Sequence, residues 1–290
     1  MGPVSFRNPS TSHSWKVALV QKSTVPVSAI IVGLNEARLL EQCLKGIDFC
    51  DEILYFDLNS SDDSLRVAEK FGAAVENHSW VPSGEYVVAE MQFRARHDWV
   101  LFIDPDEFID DSLKRDIVAT FSKFREDDKV GSFSAPWQFF FKSRKLYGTP
   151  WGGTKQRVFL AHRDRFELLP ETHRGRRSVA GFSNIEIASE GSIRHFWSDS
   201  WLQLLKKHLR YLATEGGSRY RRGDKLSFIS LLRVIPRTFV MTFSNYSDSR
   251  DGINGLALNL LWATYKSLSL FELWRVSATS RFGLLGRKGI

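Results

Sequence analysis

The stretch "VSAIIVGLNEARLLEQCLKGI", Val27–Ile47, decides the fold. Its first seven residues are continuous and rich in β-branched side chains, the pattern of a strand covered on both faces. The last thirteen, Asn35–Ile47, place Leu40, Cys43, Leu44 and Ile47 on one helical stripe. The same alternation continues downstream. "EILYFD" reads as a second strand, "DSLRVAEKFG" as a short helix, and "AAVENHS" as a third strand. "GEYVVAEMQFRAR" reads as a helix that leads into "WVLFID". This β-α-β-α-β-α-β series predicts an α/β fold with an open, mostly parallel sheet.

Such sheets bind ligands beyond the carboxyl ends of their strands. Those ends carry Gly33 to Glu36, Asp57 to Asp62, and Asp104 to Glu107. The third group raises a question of cost. An apolar strand delivers Asp104, Asp106 and Glu107 almost together, and close carboxylates repel one another and resist desolvation. A positive charge is needed there. Two acids one residue apart can both face one hard cation, Mg²⁺ or Mn²⁺, whose other positions go to water or substrate phosphate. The alternative is a solvated acidic turn, because "DPDEFIDDSLK" also resembles a helix start. Asp57, followed by small polar residues and Asp62, suits ribose hydroxyls or a base edge, or else an Asx turn with a helix cap.

Composition narrows the class. At 290 residues with 43% hydrophobic content the chain can bury a large core, which argues against disorder. Forty Lys and Arg against 33 Asp and Glu leave a formal charge of +7, which suits nucleic acid, anionic lipid or a phosphorylated substrate without choosing among them. Acids on the expected ligand edge argue against nucleic acid. Cys43 and Cys50 form no metal-finger spacing, and Cys43 falls on an apolar helix face, as a buried thiol would. No dinucleotide glycine fingerprint and no phosphate loop is present, which excludes a dehydrogenase or a P-loop enzyme. No apolar run reaches the roughly 20 residues of a membrane span, and the leader lacks a signal-peptide core. The expected location is cytoplasmic.

Taken in order, "VSAIIVGLNEARLLEQCLKGI", "DEILYFDLNSSDDSLRVAEKFGA" and "DWVLFIDPDEF" resemble the nucleotide-diphosphosugar transferase domain of family-2 glycosyltransferases, the GT-A fold. The likeness is strongest toward the branch of lipopolysaccharide-core β-glucosyltransferases. It covers Val27 to about Ile117, with weaker echoes in "SIRHFWSDSWLQLLKKHLRYLATEG" and "SRDGINGLALNLLWATYKSLSLFELWR". The resemblance implies that Asn35 and Glu36 border the nucleotide pocket and that Asp57 contacts the nucleoside. It implies that Asp104 and Asp106 are the metal motif gripping the donor diphosphate, and that Glu107 is the acid that follows that motif. It also implies inversion at the anomeric carbon. Two departures stand out. Leu58-Asn59-Ser60 replaces the usual Asp-Gly-Ser, and "ETHRGRR" stands where relatives often carry His-Glu. Glu171 is the expected base, with Glu167 and Asp164 behind it, and His173 and His195 are expected near metal or diphosphate.

The expected organisation is a loose leader (1–24), a GT-A domain (25–215, with a nucleotide-sugar half 25–117 and an acceptor half 118–215), and a helical extension (216–290). Within it "SDSWLQLLKKHLRYLATEGG" predicts an amphipathic helix with Trp201, Leu205, Leu209 and Leu212 inward and Gly216 as its stop. The function expected is a metal-dependent inverting glycosyltransferase. Its donor would be a nucleotide-diphosphosugar, its acceptor a glycan or lipid-linked glycan in surface polysaccharide synthesis. A sugar-phosphate nucleotidyltransferase and a silent sugar-nucleotide binder are the alternatives. The apolar and cationic tail is expected to rest on an anionic membrane surface.

Overall fold

The computed structural model describes residues 24–81, 83–169 and 176–281. The expected leader, Thr24 apart, lies outside the described residues, as do Glu171 and His173. The chain opens β1 (Val25–Gly33), α1 (Ala37–Gly46), β2 (Cys50–Asp57), α2 (Ser64–Lys70), β3 (Ala74–Asn77), α3 (Gly84–Met91) and β4 (Trp99–Phe102). It continues through β5 (Glu107–Ile109), α4 (Asp111–Phe124), β6 (Val130–Phe141), β7 (Arg144–Lys145), β8 (Lys155–His162), β9 (Phe166–Leu168), β10 (Arg176–Ser178), β11 (Ser183–Glu186) and β12 (Ile193–Ser198). Three helices close it: α5 (Trp201–Arg221), α6 (Phe228–Ser244) and α7 (Gly252–Arg281).

The main sheet runs β3-β2-β1-β4-β8-β6-β12-β5, with β7 and β11 added on β6. Its first four strands are parallel. β1 earns its central place by being apolar on both faces. Ala29 and Ile31 join Tyr55 and Leu101 in the core beneath α1 and α4, while Ile30 joins Phe56, Val87 and Val100 beneath α3. α1 buries Leu40, Cys43 and Leu44, and both cysteines are buried and free. The α/β architecture, with a mostly parallel half, flanking helices and C-terminal helices, is the one expected.

Beyond β4 the sheet turns antiparallel. β8 pairs with β4, with Leu101 opposite Leu160, and β6 pairs with β8. β12 lies parallel to β6 and antiparallel to β5, which sets His195 opposite Glu107. The register carries function, because it lays residues more than fifty positions downstream against the Asp104–Glu107 turn.

The aromatic residues of the second half form a core of their own. Phe139, Phe141, Trp151, Trp197, Leu204 and Leu258 are buried together, with Trp137 and Trp262 packed on them. Ring centroids are 4.3 Å apart in both Trp137–Phe139 and Trp151–Trp197, and each such pair is worth about 0.5–1.5 kcal/mol beyond area burial. This cluster sets α5 differently from its expected orientation. Leu204 and His208 turn inward, and Leu205 and Leu209 are exposed. The Trp151 and Trp197 rings and Tyr265 receive the His208 imidazole edge-on.

α5 also does not stop at Gly216; it runs to Arg221, through the division expected near residue 215. A Cβ at Gly216 would stand 2.8 Å from Glu272 Cβ and 3.0 Å from the Glu272 carbonyl carbon. The glycine therefore lets α5 and α7 approach closely. Among the described residues no helix is long and apolar enough to cross a membrane.

Gly216→Ala tests that packing. Helix propensity alone favours Ala by up to about 1 kcal/mol, whereas a methyl pressed on neighbouring backbone costs roughly 1–3 kcal/mol. The clash wins, so urea unfolding should show a net loss of stability. A gain would mean that the helices are not in close contact at this point.

Candidate active site

The turns after β1 and β2 are tied to each other. Gly33 pairs with Asp57 across the strands, and Leu58 N donates to Gly33 O at 2.9 Å. Asn35 stands at φ 58°, and its Oδ1 accepts from Ser61 N at 2.7 Å, while its own N donates to Ser60 Oγ at 2.8 Å. Asp57 is buried and accepts from Ser60 N at 2.7 Å. The missing glycine of this turn is replaced functionally by Asn59, at φ 66°, because Asn is one of the few side chains that tolerate the left-handed region. Asp62 accepts from Ala37 N and Ser64 N, so it braces the start of α1 and of α2.

The Asp104–Glu107 turn follows β4 on the same edge. Its three acids have three different surroundings. Glu107 is buried; its Oε2 accepts from Asp104 N at 3.0 Å, its Oε1 accepts from Trp137 Nε1 at 2.9 Å, and Arg157 Nη1 forms an ion pair with it. Asp104, with its side chain 54% exposed, receives Arg157 Nη2 at 3.2 Å. Asp106, 14% exposed, receives His195 Nε2 at 3.2 Å and faces Lys207 Nζ at 3.6 Å. The positive charge demanded by the sequence is therefore supplied in part by the protein itself. Asp110, not Asp104 or Asp106, caps α4 by accepting from Leu113 N.

These surroundings set the protonation states. Burial opposes ionisation of Asp106, but His195 and Lys207 outweigh it and hold the carboxyl far below the usual range. Partial desolvation at the foot of the turn opposes ionisation of the half-exposed Asp104, and Arg157 more than offsets it, so the carboxyl lies below the usual range. Burial and neighbouring Arg176 bring Arg157 down to about 10, which leaves it charged at neutral pH. Glu36 goes the other way. Burial first, then the negative charge of Asp106, raise its carboxyl to about 7, with Lys207 and Arg38 pulling against them and Asp104 adding to the rise.

A pocket opens beside Asp104, lined by Val32, Gly84, Val88, Phe102 and Arg176 among others. It adjoins the ends of β1 and β4, and the Arg176 guanidinium lies 4.6 Å from the Phe102 ring centroid. The structure thus gathers Glu36, Asp104, Asp106 and His195 at one edge of the sheet, with Asn35 and Asp57 on the adjoining turns. Asp164 is not among them: it follows His162, which pairs with Trp99 at the far end of β4. Glu167 is exposed on β9, paired with Arg177.

Among the described residues no group of three or more His, Cys, Asp or Glu is arranged to hold an ion unaided. The donor set still fits Mg²⁺ or Mn²⁺, which commonly take one or two carboxylates and complete their shell with substrate phosphate. Asp104 supplies an accessible carboxylate, and Asp106 is ionised on the same turn. His195 Nε2 is engaged by Asp106, and its Nδ1 is buried without a hydrogen-bond partner.

No family model matches the chain. A lipopolysaccharide core biosynthesis glycosyltransferase of Rhizobium meliloti (strain 1021) is 22% identical over 264 residues, 87% of this chain and 93% of the relative. The chain is related to glycosyltransferases. An uncharacterized glycosyltransferase of Rickettsia conorii is 24% identical over 275 residues, covering 89% and 93% of the two chains. Among solved structures, a mannosyltransferase from Pyrobaculum calidifontis in complex with GDP-Man and Mn²⁺ is similar over 91% of this chain and 90% of its own, at 14% identity and a TM-score of 0.47. The sequence relatives bear out the glycosyltransferase resemblance and the enzyme class read from it.

Arg157, Lys207 and Trp137 were not singled out for the site from sequence. Lys207 is one of several cations on α5 and Arg157 lies in β8, and neither belongs to a motif.

Glu36 yields a pH prediction. Its folded value near 7 exceeds the ordinary 4.5, so stability falls as pH rises from 4.5 to 7 and stays reduced above. Glu36→Gln, neutral throughout, should match the parent below that window in chelator. Above it the variant should be more stable, by at most about 3 kcal/mol. A constant difference at all pH values would show that Glu36 is not desolvated.

Proposed function

We propose that the chain transfers a glycosyl group from a nucleotide-diphosphosugar to a hydroxyl of a glycan or lipid-linked glycan, with inversion, in surface polysaccharide synthesis. The observation that carries this reading is the convergence of Asp57, Asp104, Asp106, Arg157 and Lys207 on the carboxyl edge of β1, β2 and β4. That edge is where an open α/β sheet takes its ligand. The name of the Rhizobium meliloti relative supports the pathway.

In this reading Asp57 and Asn35 hold the nucleoside. Asp104 and Asp106 would hold Mg²⁺ or Mn²⁺, with His195 as the third candidate ligand; bound there, the ion would act as a Lewis acid on the donor diphosphate. Arg157 and Lys207 place fixed positive charge where the diphosphate leaving group gains negative charge. Glu107 binds no substrate; it holds the turn and orients Arg157. We assign the base to Glu171, which would take the proton of the attacking acceptor hydroxyl.

Release of nucleoside diphosphate from a panel of nucleotide-sugars tests the activity. The parent should release it only with divalent metal, and Asp106→Asn should lose about 100-fold or more, as expected when a charge-stabilising group is removed. Equal rates in parent and variant, with the same metal requirement, would overturn the site assignment.

We also propose that the chain works at the cytoplasmic face of a membrane. α6 presents Ile229, Leu232, Val240 and Phe243 outward, with exposed Arg233 and Arg237 between them. Apolar residues interleaved with cations suit an anionic interface, where each Arg contributes about 1 kcal/mol. Truncating the tail would uncover the Trp151–Trp262 contact, so substitution is the cleaner test. Full-length protein should float with anionic liposomes at low salt, and Leu232→Glu with Val240→Glu should remain at the bottom of the gradient. Folded parent protein that does not float would rule the membrane claim out.

A further inference from the structure

A second concavity lies between α6, α7 and the loop that joins β7 to β8. It is an open groove of about 570 Å³, inside the ~300–1,000 Å³ range of small-molecule clefts. Its lining includes Thr149, Lys155, Thr238, Met241, Trp262 and Lys266, and none of the lining residues is acidic. The Lys266 ammonium stands 5.0 Å from the Trp262 ring centroid and that of Lys155 5.8 Å from Phe139. Lys155 Nζ donates to Pro150 O. Among the described residues neither lysine is paired with a carboxylate.

The groove has a fixed wall. The Asp251 carboxylate, at the foot of α7, accepts from Tyr147 N at 2.9 Å and Gly148 N at 2.7 Å. Gly148 approaches Asp248 so closely that a Cβ would lie 2.3 Å from its carbonyl oxygen. Leu146 N and Gly153 N close the loop by donating to Phe139 O and Leu146 O. The loop is thus built to hold one shape against α6 and α7.

The groove is also tied to the proposed reaction centre. Lys155 and Arg157 lie two residues apart on β8, so their side chains leave the same face of the strand. Arg157 grips Asp104 and Glu107, while Lys155 faces the groove. Phe139 touches both ends of this line: Lys155 lies over it, and its ring is 4.8 Å from His195.

We propose that this groove is the acceptor subsite, and that its two lysines hold an anionic substituent, phosphate or carboxylate, on the acceptor glycan. The inference rests on the glycosyltransferase reading. Trp262 offers an apolar platform for a sugar ring, the threonines offer hydroxyls, and two cations without acid partners among the described residues can receive an anion.

Pulsed lysine acetylation of the full-length protein, read by mass spectrometry, tests it. Glucose 6-phosphate should slow modification of Lys155 and Lys266, and glucose should not. In Lys266→Gln the protection of Lys155 should need about tenfold more glucose 6-phosphate, the loss of one charge-assisted hydrogen bond. No protection, equal protection by glucose, or an unchanged midpoint in the variant would overturn the assignment. So would protection by phosphatidylglycerol vesicles alone, which would make the groove a lipid-headgroup site. Thermal shift of the same preparation with nucleotide-sugars reports the donor site separately. Failure there would sink the glycosyltransferase reading, whatever the lysines show.

Discussion

The contact between Arg157 and Glu107 is the constraint on which the site depends. A carboxylate as buried as Glu107 is costly unless its oxygens are matched, and here each is used. One receives Trp137 and Arg157, the other the backbone of Asp104. The consequence is a division of labour within one short turn. Glu107 is consumed by structure, and its burial fixes the backbone from which Asp104 and Asp106 project. The guanidinium that neutralises Glu107 also reaches Asp104, so the same group that stabilises the turn raises the local positive potential. Arg suits this double contact, because its planar fork serves two acceptors at once where an ammonium would serve as a point charge.

The parallel half was legible because its physics is local. Continuous apolar strands, a helical stripe through Leu40, Cys43 and Leu44, and polar residues at strand ends each leave a pattern in adjacent letters. Asn59 illustrates the limit of motif reading. The glycine is gone, yet the conformation survives, since what the turn needs is a residue that accepts positive φ. The antiparallel half was less legible because strand pairing is a long-range property. Nothing in the letters near Arg157 or His195 states which residue each will face. The need for positive charge was read correctly from the acids alone, while its first source, two cations from distant segments, was not. The inward face of α5 was misread for a related reason. Leu205 and Leu209 match a helical stripe, but the aromatic cluster selects Leu204 and His208.

Trp137 joins the two halves of the molecule. Its indole nitrogen serves Glu107, its face carries the Arg157 guanidinium at 4.8 Å, and its ring stacks on His195 at 5.4 Å. On its other side it packs with Phe139 on the aromatic core shared with α5 and α7. The C-terminal helices are therefore not a loose appendage to the acidic turn. They close over the same aromatic residues that support it, and the run of α5 through residue 215 makes that connection a continuous helix.

This continuity gives a physical reason for the position of the second groove. A transferase must bring an acceptor hydroxyl to the donor without admitting water freely, so the two substrates should approach along a rigid element, not across a hinge. β8 is such an element. It is paired on both sides, by β4 and β6, and it carries Arg157 toward the acids and Lys155 toward the helices. A displacement of β8 would move both cations together, which keeps their spacing fixed as the strand shifts. Charge on the donor side and charge on the acceptor side would then be set by one strand. The helices above it are left to choose, through Trp262, Met241 and Lys266, what kind of molecule reaches that strand.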